Sequence, residues 1–124
     1  MAKILVIDKE KNVCILYQDE LGEAGYEVVI ASDSSYLFKK IDEERPDLVL
    51  LDIILKTGYD GLNLLQNIRR KYRNLPIIIC TALDKYSADP ISRAADYFVV
   101  KSSDLTDLKE KIAQALAKSG HSWG

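Results

Sequence analysis

The sequence is poor in the residues that build most catalytic and metal centres. It carries a single histidine, His121, and two cysteines, Cys14 and Cys80. One imidazole, placed near the end of the chain, makes a histidine-based metal site or a Ser-His-Asp triad untenable. The cysteines lie far apart, form no CxxC pair and sit in apolar stretches, so they read as buried, reduced thiols. No apolar run approaches the roughly 20 residues that span a bilayer. The apolar stretch after Lys3 is too short for a signal-peptide core and ends at an acid, so a cytoplasmic protein is expected. A net charge of -2 offers no general polybasic surface for nucleic acid or membrane. Neither a GxxxxGKS/T nor a GxGxxG string occurs, so a nucleotide or flavin carrier would lack its phosphate-cradling loop.

What is present is an alternation. Short runs rich in Val, Ile and Leu occur at Lys3–Asp8, Tyr26–Ala31, Asp47–Asp52, Pro76–Thr81 and Tyr97–Val100. Near-continuous apolarity is what a strand buried on both faces of a parallel sheet requires. Between the runs the period becomes helical. Val13, Leu16, Tyr17, Leu21 and Ala24 form one stripe, closed by Gly25. Leu37 and Ile41 mark a second, after Ser34-Ser35 and stopped at Arg45-Pro46. Leu64, Leu65, Ile68 and Tyr72 form a third. Leu105, Leu108, Ile112, Ala115 and Leu116 form the last, with Asp104 as its cap. A shorter helical segment between Ala82 and Ala95 is interrupted by Pro90. Five strands alternating with five helices predict an α/β fold, a doubly wound parallel sheet in a three-layer sandwich. The folded unit is expected over residues 1–118, with 119–124 a flexible tail.

In such sheets ligands bind at the carboxyl ends of the strands, near the point where strand order reverses. The residues falling there are Asp8, Asp52, Thr81 and Lys101, with Lys9 and Glu10 beside the first. Carboxylates from two strands suit a hard cation such as Mg2+. A hydroxyl and an ammonium suit the oxygens of a phosphoryl group, whose transfer depends on positioning and charge stabilisation. Polar residues are common at strand ends for the plain reason that water begins there. Four such residues on four strand ends are harder to explain that way. The cluster Arg69-Arg70-Lys71-Tyr72-Arg73 reads instead as cations favouring a helix C-terminus.

This set of residues, in this order, resembles the receiver domains of bacterial two-component response regulators. The resemblance covers Lys3 to about Lys118 and implies the chemotaxis-regulator (flavodoxin-like) fold, with strand order 2-1-3-4-5. It implies Asp52 as phosphoacceptor, taking a phosphoryl group from a histidine kinase or phosphotransfer protein and passing the state to an unknown downstream protein. It further implies Asp8 and the Ile54 backbone carbonyl in the Mg2+ pocket, with Thr81, Phe98 and Lys101 as phosphoryl-contacting and switch residues. Asp60-Gly61-Leu62 matches the turn into the third helix. The resemblance allows a homodimer through the fourth helix, fifth strand and fifth helix, and implies no enzymatic turnover beyond gain and slow loss of the phosphoryl group.

Three departures stand out. Lys9 replaces a second metal-binding acid, which weakens Mg2+ binding, and Glu10 is at best a substitute. Ser102 follows Lys101 where proline is usual. The stretch from Thr81 to Lys101 is short. A second reading follows from the first departure: a pseudo-receiver interaction module, not switched by phosphorylation, with the Lys9 ammonium in the metal site.

Overall fold

The structure, a computed structural model, describes residues 1–32, 35–55, 60–82 and 84–123, with backbone alone at Asp60 and Lys85. The chain runs β1 (Lys3–Ile7), α1 (Lys11–Glu23), β2 (Glu27–Ala31), α2 (Leu37–Glu44), β3 (Leu48–Leu51), α3 (Asp60–Lys71) and β4 (Ile77–Thr81). Two short 3-10 helices, Asp84–Ala88 and Pro90–Ala94, lead into β5 (Tyr97–Val100), and α4 (Thr106–Lys118) closes the order. All strands pair in parallel, in the order β2-β1-β3-β4-β5.

The expectation of five helices is corrected: the described residues hold four α-helices. The segment before β5 breaks at Pro90, which has no N–H to donate and holds Asp89 extended, at φ -66° and ψ 129°. The Asp89 carboxylate then accepts the Ile91 N–H at 2.9 Å, which starts a fresh turn rather than continuing the old one. At α4, Leu105 rather than Asp104 holds the cap position, and the Asp104 carboxylate accepts the Thr106 N–H. The stop signals of the first two helices operate as expected. Gly25 adopts φ +99° after α1, and Arg45, at φ 49°, ends α2 before Pro46.

Alternate strand residues divide the interior into two cores. Leu5, Ile7, Val49, Leu51, Ile77 and Ile79 face α2 and α3, where Ile41, Leu65 and Ile68 meet them. Ile4, Val6, Leu48, Leu50 and Ile78 face α1 and α4, against Leu21, Leu108 and Ile112. Each fully buried side chain of this kind contributes about 1.5–3 kcal/mol. Trp123 joins the first core from the C-terminus: its ring lies 5.7 Å from that of Tyr72, and its indole N–H donates to the Pro46 carbonyl at 2.8 Å. No helix among the described residues is long and apolar enough to cross a membrane.

Candidate functional site

Register assembles the site. Ile7 pairs with Leu51, so the residues that follow, Asp8 and Asp52, emerge side by side where the strand order reverses. Their backbones continue the ladder: the Asp52 N–H donates to the Ile7 carbonyl and the Asp8 N–H to that of Ala31. Thr81 pairs with Val100, and the Lys101 N–H donates to the Thr81 carbonyl at 2.7 Å. Four strand ends thus bring Asp8, Asp52, Thr81 and Lys101 to one edge. Asp8, Asp52 and Thr81 are all buried, at 2%, 4% and 0% exposure. Gly61 lets α3 start hard against this edge. A Cβ there would lie 2.4 Å from the carbonyl oxygens of both Asp52 and Ile53.

The carboxylates are already satisfied. Asp8 Oδ1 accepts the Glu10 N–H at 2.9 Å, and Asp52 Oδ1 accepts the Ile54 N–H at 3.3 Å. The other oxygen of each, Oδ2, meets Lys101 Nζ at 2.9 Å, and Glu10 Oε1 meets it at 3.2 Å. One ammonium therefore bridges three carboxylates. Burial alone would lower the Lys101 pKa, but hydrogen bonds to Asp52 and Asp8 and their charges outweigh it and raise it. Burial raises the Asp8 carboxyl above its ordinary value, against the opposing Glu10 N–H and Lys101; the nearby Asp52 charge adds to the rise.

Oxygens of Asp8, Glu10 and Asp52 lie within 4.8 Å of one another, a donor set suited to a hard divalent cation. The donors fit Mg2+, yet Lys101 holds the position among them. A divalent ion must displace or repel that ammonium, so its binding is weakened. This corrects the source of the weakening: Lys9 is solvent-exposed, and the charge among the acids belongs to Lys101. It also overturns Asp52 as a phosphoacceptor. Of its oxygens, Oδ2 is held by an ammonium and Oδ1 by a backbone N–H, and binding of the cation that would assist transfer is weakened.

Of the remaining predicted residues, Ile54 stands two positions beyond Asp52, half-buried. Phe98 lies in β5 and packs against the α2–α3 core. Beneath the site, Tyr17 and Cys80 form a buried pair with Oη and Sγ 3.0 Å apart. Sequence reasoning missed this pair; the signal was a polar-tipped tyrosine on the buried stripe of α1 and a cysteine in the last turn of an apolar strand. Both cysteines are free and buried, and burial pushes the Cys80 thiol up to about 11.

Comparison with known proteins agrees with this architecture. The response regulator receiver domain family matches residues 4–113. The chain belongs to that family. It is similar to the response regulator TrrA of Thermotoga maritima, solved with Mg2+ and BeF, at 40% identity and a TM-score of 0.87, covering 93% of this chain and 99% of TrrA. A structure of TrrA in complex with the histidine kinase ThkA matches at 41% identity and a TM-score of 0.85, covering 94% of this chain and 99% of TrrA. The alkaline phosphatase synthesis transcriptional regulatory protein PhoP of Bacillus subtilis is 31% identical over 119 residues, which are 94% of this chain and 49% of PhoP. The chain thus spans about half the length of that curated relative.

Proposed function

We propose that this chain is a pseudo-receiver: a receiver-fold protein-interaction module held in one state by an internal ammonium rather than switched by phosphorylation. The observation that carries this reading is the Lys101 Nζ, 2.9 Å from both Asp8 Oδ2 and Asp52 Oδ2. The ammonium meets one oxygen of each buried carboxylate and stands among the donors a metal would need, so a divalent ion must displace it to bind. Lys101 is the residue that fixes the pocket, and Asp8, Asp52 and Glu10 are its anchors. Thr81 and Phe98 are the positions through which any change at the pocket would reach β4 and β5, and the Ile54 carbonyl is the donor a metal would recruit if Lys101 withdrew. Residues 1–118 form the functional unit. The partner class is a histidine kinase, by similarity to TrrA, which forms a complex with one.

Incubation with acetyl phosphate and Mg2+, read by intact mass, tests the proposal. No adduct is expected. A gain of one phosphoryl group that disappears in Asp52→Asn would sink it.

A further inference from the structure

At the opposite end of the sheet from the acidic pocket lies a groove of about 450 Å³, between the end of α3, the second 3-10 helix, the start of β5 and the end of α4. Its floor is made of small residues, Ala94, Ala95 and Ala115, together with Pro76. That is why a depression exists there: no side chain long enough to fill it projects from the floor. Four cations line it, Arg69, Arg73, Arg93 and Lys118, against one acid, Asp96.

The acid is already committed. Asp96 Oδ2 accepts from Arg69 Nη2 at 3.0 Å and from the Ile77 N–H at 2.8 Å. Arg69 is committed too, donating to the carbonyls of Ala94, Arg73 and Leu75. It staples α3 to the loop before β5 and shapes the groove. Lys118 donates to the Tyr97 hydroxyl at 2.8 Å, a neutral partner, and makes no direct ion pair among the described residues. Arg73 and Arg93 are exposed and have no ion pair among the described residues. Three cations therefore face a concave, small-residue floor without a direct carboxylate partner among the described residues.

We propose that this groove docks an acidic segment of a protein partner, with Arg73, Arg93 and Lys118 pairing to its carboxylates over the alanine floor. The proposal rests on the reading of this chain as an interaction module and names the chemistry of one partner. A polynucleotide fits less well. The three cations form a local cluster rather than a stripe that could follow a backbone, and Tyr97, the aromatic residue of the groove, has two lysine ammonium groups over its ring, Lys111 at 5.7 Å and Lys118 at 5.3 Å.

The test uses the full chain, a fluorescein-labelled decaglutamate peptide and a labelled oligothymidylate of equal length, read by anisotropy at low and physiological salt. The peptide should bind, more weakly as salt rises, and lose about tenfold or more in affinity in the Arg73→Glu/Arg93→Glu double variant. Lys118→Gln should weaken it less. No peptide binding at low salt, or binding indifferent to the double variant, overturns the proposal. Tighter binding of the oligothymidylate, lost in the same variant, overturns it in favour of nucleic acid. The side chains of Arg73 and Arg93 make no ion pair among the described residues, and the Arg73 carbonyl that accepts from Arg69 is backbone, so the double variant should keep the wild-type circular dichroism and melting. Acetyl phosphate uptake by Asp52 would end the unswitched reading while leaving the peptide result standing, so the two failures are distinguishable.

Discussion

The two ends of the sheet carry opposite charge and treat it in opposite ways. At the carboxyl ends of the strands, three acids gather around one ammonium, and the buried members are paired within the fold. At the amino ends of β4 and β5, cations gather around one acid that is already taken, and the surplus faces water. Burial separates the two cases. A charge removed from water must find its partner inside the protein, whereas an exposed one can wait for a partner from outside. In this family member the end that looks like a reaction site has each buried carboxylate paired within the fold, and the end with no reactive group holds the cations that have no ion pair among the described residues.

The sharpest break of that contrast is Lys101→Ala. It leaves Asp8 and Asp52 buried side by side without a cation, and stability should fall by roughly 3–5 kcal/mol. Saturating Mg2+ should recover part of the loss in the variant and little in the wild type, because the vacated oxygens then suit the ion. Urea denaturation with and without Mg2+ measures both. A variant as stable as the wild type would mean that the ammonium does not hold the pocket. Gly61→Ala attacks the same end through the backbone. Its methyl group would overlap the Asp52 and Ile53 carbonyls, and a cost of roughly 2–3 kcal/mol is expected from the forced shift of the segment after β3. A thermal melt unchanged from the wild type would show that the start of α3 yields without strain.

Much of the acidic end was legible in the sequence, because strand ends can be read from where apolar runs stop. Asp8, Asp52, Thr81 and Lys101 all fall at such stops, and parallel register does the rest. The identity of the neutralising lysine was not legible. Proximity along the chain pointed to Lys9, but successive residues leaving a strand point to opposite sides, and Lys9 is exposed while Asp8 is buried. Lys101 lies 49 positions from Asp52 and reaches it through a flexible stem whose direction only the folded pocket decides. The segment between Ala82 and Ala95 was expected as a helix because its helical spacing outweighed the break at Pro90. The cationic groove had no linear signature, since Arg73, Arg93 and Lys118 come from three separate elements. Its sole visible trace, the basic run at Arg69–Arg73, read as a helix terminus; Arg69 is indeed tied to local carbonyls, and Arg73 is the member that lines the groove without an ion pair among the described residues.

At the open end, Arg69→Ala should have the next effect. It removes the staple that joins α3 to the loop before β5 and leaves the carbonyls of Ala94 and Leu75 without that donor. A loss of about 2 kcal/mol is expected, and amide exchange should quicken in residues 93–97. Arg69→Lys should restore only a fraction, because one ammonium cannot reproduce a planar fork with bonds in four directions. Full rescue by lysine would mean that charge alone, rather than the geometry of the staple, holds this end together.

The smallest effect concerns pH and sharpens the contrast between a self-contained end and an unfinished one. His121 packs edge-on against Trp123, ring centroids 4.6 Å apart, and its Nε2 is buried without a partner. Burial lowers its pKa below the usual 6.5, with Asp47 opposing. The unfolded chain therefore takes up the proton first as pH falls. Stability contributed by the neutral ring is intact above about 6.5, declines as pH drops through that value, and levels off once the folded ring also protonates. The lysine that closes the acidic end has its pKa pushed upward, so it stays charged across the same window. Urea midpoints between about pH 5.5 and 7.5 should thus slope downward toward acid by less than about 1 kcal/mol in total. His121→Gln should flatten that slope, and Trp123 emission, reporting from beside the imidazole, should follow the same titration. An identical slope in the glutamine variant would place the pH dependence elsewhere in the fold and leave the C-terminal contact electrostatically silent.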